Sequence, residues 1–245
     1  MADIRILRRR NSTVRVYSKG DSLHVAKKYH RRYSIVDEAN CYRLAESIVR
    51  GIRGLSVASV ESLDLARNEI HLEYVPGQTL RSLLARDGIS VLDKACRTAI
   101  VQLAVLSYGK KVSLDADPSN FIVSPDAGEL IIVDPMIDVA GLHHPTMVVF
   151  MWGLMKYHIR YCFRFREWKL GMSLWSELMH SYAADVEVSV SAIYEDLARY
   201  SNIVIGWNVN ESGFESIFMR LARLFFLVPL VRFLGFWFRM SGIAR

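Results

Sequence analysis

Cysteine is scarce in this sequence. Cys41, Cys96 and Cys162 are the only three, far apart and never paired as Cys-x-x-Cys. That excludes a disulfide framework and a cysteine zinc site, and it fits a reducing compartment. Internal repeats and low-complexity tracts are also missing, which removes the solenoid and disordered classes. With 51% hydrophobic and 23% charged residues the composition is globular. No apolar stretch follows Met1 closely enough to form a secretory signal, so a cytoplasmic location is expected.

Long uninterrupted apolar runs are absent as well. Residues 217–238 are intensely apolar, but Arg220, Arg223 and Arg232 break them, Arg239 follows, and the longest clean run is eight residues. A bilayer span needs roughly 20. Two expectations remain for this segment. It supplies the last core helices, or it lies at an interface with its aromatics in the membrane and its arginines on anionic headgroups. The second places residues 217–239 in peripheral contact with an anionic membrane, at its inner face.

The net charge of +6 is mild and points to anionic partners: nucleotide phosphates, lipid headgroups or an acidic substrate. Zinc-finger spacing is missing, and the arginines are dispersed apart from Arg8, Arg9, Arg10 and the C-terminal set, so no nucleic-acid partner is expected.

What is present is a strand-rich first third and a helical remainder. Residues 4–7 and 14–17 alternate apolar and polar side chains, and the turn signal Lys19-Gly20-Asp21 leads into a third strand at 23–29. A helix is expected over 34–49. Ala39, Tyr42, Ala45 and Ile48 recur at helical spacing, acids occupy the first turn, and Gly51 stands just past the end. Strands follow at 57–65 and 69–74 before Val75-Pro76-Gly77 breaks the pattern. That break marks a boundary between domains 1–76 and 77–245. Helices are expected at 80–86 and 91–108, a strand-turn-strand unit at 120–133, and helix almost throughout 145–240, with Trp152, Trp168, Trp175 and Trp207 supplying core bulk.

The chemistry concentrates at 113–134. Asp115, an amide at Asn120 and a second acid at Asp134 after a hairpin are the parts a phosphoryl-transfer site uses. One carboxylate orients and deprotonates the attacking hydroxyl, while an amide oxygen and another carboxylate hold a hard cation against nucleotide phosphates. The hairpin brings residues fourteen positions apart to one cleft. Asp117 either assists there or caps the turn. His143-His144, lacking a third ligand at metal spacing, reads as surface or groove lining.

Asp115-Ala-Asp-Pro-Ser-Asn120 resembles the catalytic loop D-x-x-P-x-N of the protein-kinase superfamily, in particular its small bacterial branches, the aminoglycoside phosphotransferases and lipopolysaccharide sugar kinases. The resemblance covers roughly residues 1–140. It implies an α+β, bilobal protein-kinase-like fold with a small antiparallel-sheet N-lobe carrying one helix and a mainly helical C-lobe. It also implies ATP and Mg2+ as cofactors, Asp115 as catalytic base, and Asn120 and Asp134 as metal ligands. Val25-Ala26-Lys27-Lys28 resembles the strand whose lysine grips the α- and β-phosphates. Ala26 and Lys28 share a strand face, the small residue leaving room for adenine, so Lys28 is the expected lysine and Glu38 its ion-pair partner, with Glu46 a weaker alternative. Residues 72–77 resemble the segment between lobes, where backbone groups around Glu73 and Tyr74 meet the adenine edge.

Some family features are missing. Ser113-Leu114 replaces the usual histidine-arginine pair, which removes the arginine that reads a phosphorylated activation segment. Pro135-Met136 follows the metal acid in place of phenylalanine-glycine. No glycine-rich loop joins the first two strands, and Arg8, Arg9 and Arg10 are expected to contact phosphates there through their side chains. The implied activity is transfer of the γ-phosphoryl group of ATP to a hydroxyl acceptor, with a lean to a sugar of a glycolipid or lipopolysaccharide. A divergent effector-like kinase acting on protein Ser, Thr or Tyr, and a pseudokinase scaffold, are the alternatives.

Overall fold

The computed structural model describes residues 3–8, 12–30, 34–125, 128–135, 141–161 and 165–208. The class is α+β, an antiparallel sheet region followed by a mostly helical remainder. Two compact units divide the chain: Met1–Thr79 with Asn120–Met136, and Leu80–Ser119 with Ile137–Arg245. The first therefore runs past residue 76 and takes back a later hairpin.

In the first unit, β1 (Asp3–Arg8), β2 (Ser12–Lys19), β3 (Ser22–Tyr29), β5 (Val60–Asp64) and β6 (Glu69–Glu73) form one sheet in the order β1-β2-β3-β6-β5, every pair antiparallel. A second sheet has the order β4-β9-β8-β7, from β4 (Leu55–Val57), β7 (Gln78–Thr79), β8 (Phe121–Val123) and β9 (Leu130–Ile132). The single strand expected at 57–65 is thus two. The chain leaves one sheet at Val57 and enters the other at Val60. β4 pairs with β9 in parallel, Leu55 opposite Leu130, and this ties the late hairpin to the first unit.

Helix α1 (Ile35–Val49) starts at Ser34, whose side chain accepts the Asp37 N–H at 3.3 Å. Its buried stripe holds Ile35, Glu38, Ala39, Tyr42 and Ala45. Helical period puts Glu38 in that stripe, so an acid enters the core and must find a cation. Tyr42 fixes the far side of the hairpin by donating its hydroxyl to the Val133 carbonyl.

The second unit is helical among its described residues: α2 (Leu80–Asp87), α3 (Lys94–Gly109), α4 (Pro145–Tyr161), α5 (Phe165–Asp185) and α6 (Val190–Asn208). Asp93 caps α3, its carboxylate accepting the Cys96 N–H at 2.7 Å. Met147 to Trp152 of α4 are all buried, so this stretch of the helix is apolar around its whole circumference and runs through the interior of the unit. No helix among the described residues is long and apolar enough to cross a membrane. Residues 217–239, with both expectations for them, lie outside the described residues, as do Arg9, Arg10 and the side chain of Arg8.

Candidate functional site

Strand alternation decides which lysine of Lys27-Lys28 enters the core of the first unit. Val25, Lys27 and Tyr29 share the face that packs on α1, while His24, Ala26 and Lys28 share the other. Lys27 is buried and Lys28 is exposed, in register with Thr13 and Glu69 on its neighbours. The expectation of Lys28 is therefore corrected to Lys27. Ala26, as the residue leaving room for adenine, points to Lys28, but the bulky apolar pair Val25 and Tyr29 marks the face that packs on α1. That pair was the available signal, since two apolar residues at i−2 and i+2 place Lys27 among them.

Lys27 Nζ donates to Glu38 Oε1 at 3.0 Å and to Asp134 Oδ1 at 2.8 Å, and it lies 4.8 Å from the centre of the Tyr29 ring. Burial opposes the ammonium charge, but Asp134 and Glu38 together outweigh it and hold the Lys27 pKa above its ordinary value. Glu38 is pushed up, first by burial and also by the nearby Asp134 charge, with Lys27 pulling the other way. Both directions are consistent because two acids share one cation. Burial, then Glu38 and Asp134, also raise the Tyr29 phenol. Glu46, the weaker alternative, is exposed on α1.

The hairpin sets Asn120 beside Asp134. Phe121 pairs with Ile132, and the Val133 N–H donates to the Asn120 carbonyl at 2.9 Å, so Asn120 sits across the strand ends from the residue before Asp134. Asn120 is buried and the Asp134 side chain is 21% exposed, so the acid that meets the buried Lys27 keeps partial access to solvent. A carboxylate and an amide oxygen form a hard donor set suited to Mg2+, which takes one or two protein ligands and completes its shell with phosphates and water. Among the described residues there is no cluster of three or more His, Cys, Asp or Glu able to hold a metal without such help.

Glu73 ends β6. Its N–H donates to the Ser59 carbonyl at 3.0 Å, and its carboxylate accepts the Ser59 N–H at 2.9 Å. That N–H is committed within the sheet. Tyr74, next along the chain, is 38% exposed.

Asp115 belongs to the second unit, in a loop shaped by its own carboxylates. Asp115 Oδ1 accepts the Asp117 N–H at 3.1 Å, and Asp117 Oδ1 accepts both the N–H and the hydroxyl of Ser119, at 3.0 and 2.8 Å. Asp117 thus acts as a turn cap. Leu114, Ala116 and Pro118 point inward while Asp115 and Asp117 are half-buried. Tyr200 of α6 was not anticipated from the sequence. Burial first, then the charges of Asp115 and Asp117, raise its pKa, which puts its phenol in the field of both acids. His143 is exposed, as expected of a surface residue, whereas the His144 ring is buried against Tyr108 and Tyr182, and the N–H groups of both donate to Asp196.

No protein-family model and no curated protein matches the chain. Among the solved structures that match is the choline kinase LicA from Streptococcus pneumoniae, 14% identical over 88% of each chain, with a TM-score of 0.45.

Proposed function

We propose that this chain is a protein-kinase-like phosphotransferase that moves the γ-phosphoryl group of Mg-ATP to an alcohol acceptor. The observation that carries the reading is the pair of charged hydrogen bonds that Lys27 donates to Glu38 and Asp134, at 3.0 and 2.8 Å. It gathers an ammonium, its buried orienting acid and a partly exposed acid into one cluster, on the hairpin whose other strand follows Asn120. A scaffold has no need to bury such charges, because taking each out of water costs several kcal/mol.

Lys27, held by Glu38, binds the nucleotide phosphates as a fixed cation. Asn120 and Asp134 are the residues that would hold Mg2+, which when bound neutralises charge on the phosphate oxygens. Asp115, in the D-x-x-P-x-N loop, accepts the proton of the attacking hydroxyl and aligns it. The contribution of the protein is mainly positioning and charge compensation. The form of that loop, with proline at 118, favours a sugar hydroxyl of a glycolipid as the acceptor, and a protein hydroxyl is the competing assignment.

Incubation with γ-labelled ATP and Mg2+, beside Asp134→Ala, tests the reading. Label released or transferred by the wild type and lost in the variant is the expected result. A wild type showing neither label transfer nor a thermal shift with Mg-ATP would end it.

A further inference from the structure

The loop that carries Asp115 is gripped at both ends by one stripe of α4. Thr146 and Gly153 stand seven residues apart, two helical turns, and so face the same side. At the first point Thr146 Oγ1 accepts the Leu114 N–H at 3.1 Å, and both residues are 2% exposed. At the second, Gly153 meets Pro118. A methyl group on Gly153 would collide with the proline ring and come within 3.2 Å of Asp117 Oδ2.

α4 is itself fixed by α6. Asp196 Oδ2 accepts the N–H groups of His143 and His144, at 2.6 and 2.8 Å, where α4 begins, and Asp196 is 1% exposed. One turn along α6, Tyr200 sets its ring edge-on to Trp152 of α4, centroids 6.2 Å apart. The charges of Asp115 and Asp117 reach this same tyrosine.

Resting on the proposed function, in which Asp115 is the base, we propose that Thr146 and Gly153 are positioning residues that hold Asp115 at its acceptor hydroxyl, with Asp196 fixing the helix on which both stand. The physical reason is backbone satisfaction. The Leu114 N–H is buried, and without the Thr146 oxygen it must move to find water, taking the next residue with it. Gly153 lacks the Cβ that would collide with Pro118 and push it away from α4.

The test uses the full chain and three variants. Thr146→Val removes the acceptor at nearly constant volume, Thr146→Ser returns it, and Gly153→Ala displaces the proline end. Turnover of Mg-ATP and its KM are measured together with amide exchange over residues 114–119. Thr146→Val is expected to lower kcat about 10- to 100-fold, the scale of an ångström-sized misplacement. KM for Mg-ATP should hardly move, because Lys27, Glu38 and Asp134 belong to the other unit. The loop amides exchange faster, and Thr146→Ser restores both readouts. Gly153→Ala, the independent variant should Thr146→Val not fold, lowers kcat in the same way. A wild type that turns over no ATP overturns the proposed function and this assignment together. A wild type that turns over ATP, with variants that lose melting temperature but keep kcat and loop exchange, overturns the assignment alone.

Discussion

Lys27 Nζ lies 2.8 Å from Asp134 Oδ1, an ion pair between residues 107 positions apart. It closes because β4 binds β9 in parallel and Tyr42 bonds Val133, which together attach the β8–β9 hairpin to the unit that contains β3. Glu38 meets the same ammonium at 3.0 Å, so one lysine joins two acids from distant parts of the chain.

Replacing Lys27 by Met leaves Glu38 and Asp134 facing each other without that cation. Breaking a buried pair this way costs about 3–5 kcal/mol, and the partial exposure of Asp134 sets the expectation at the lower end. The melting temperature should fall and Mg-ATP binding by calorimetry should vanish. Lys28→Met should change neither. Loss of binding in the Lys28 variant with retention in the Lys27 variant would reverse the assignment.

Asp115→Asn should lower turnover about 10²- to 10⁴-fold, the usual range for a general base, with Mg-ATP affinity unchanged. Asp117→Ala removes the acceptor for two Ser119 donors and should cost less. Asp117→Asn keeps an acceptor oxygen and should be milder still. Equal losses for the two asparagine variants would mean that Asp115 serves the loop rather than the proton.

Gly77 has φ of +134°, and a methyl group there would run into the Val123 carbonyl and lie 2.8 Å from Ile122 Cγ2. Gly77→Ala should destabilise the first unit by about 1–3 kcal/mol from backbone conformation, with the collision added. Gly20 also has positive φ, +65°, but open space around it, so Gly20→Ala should cost less. Chemical denaturation of both variants, with amide exchange at residues 78–79 and 122–123, checks the ranking.

His144 is buried between Tyr108 and Tyr182, its Nδ1 3.0 Å from the Tyr182 hydroxyl. Burial, the largest cause, and the neighbouring His143 hold its pKa below the ordinary 6.5, while Asp196 opposes them. Between that lowered value and 6.5 the unfolded chain binds more protons than the folded one. The contribution of His144 is therefore full above pH 6.5 and is lost as pH falls toward the folded pKa. Unfolding free energy measured from neutral to acidic pH should drop more steeply in the wild type than in His144→Gln. Parallel curves would mean that His144 does not titrate differently on folding.

Much of the site was legible because its chemistry is local. Asp115, Asn120 and Asp134 stand in order along a short stretch, and Glu38 follows a visible helix start at Ser34. Alternation alone does not separate Lys27 from Lys28, because their strand carries polar residues on both faces and two phases stay open. Packing of Val25 and Tyr29 against α1 chose between them. Tyr200 and Thr146 could not be found from spacing, since they stand 85 and 31 positions from Asp115 and only tertiary packing brings α4 and α6 to its loop.

By itself the sequence determined the class of elements, the caps, the hairpin and the residue types of the candidate site, because hydrophobic period and turn chemistry act over a few residues. Tertiary structure alone decided that residues 55–64 serve two sheets, that Lys27 rather than Lys28 meets Glu38 and Asp134, and that α4 and α6 support the Asp115 loop. Those outcomes depend on which buried charge finds a partner and which backbone group finds an acceptor. Such partners are chosen by folding in three dimensions.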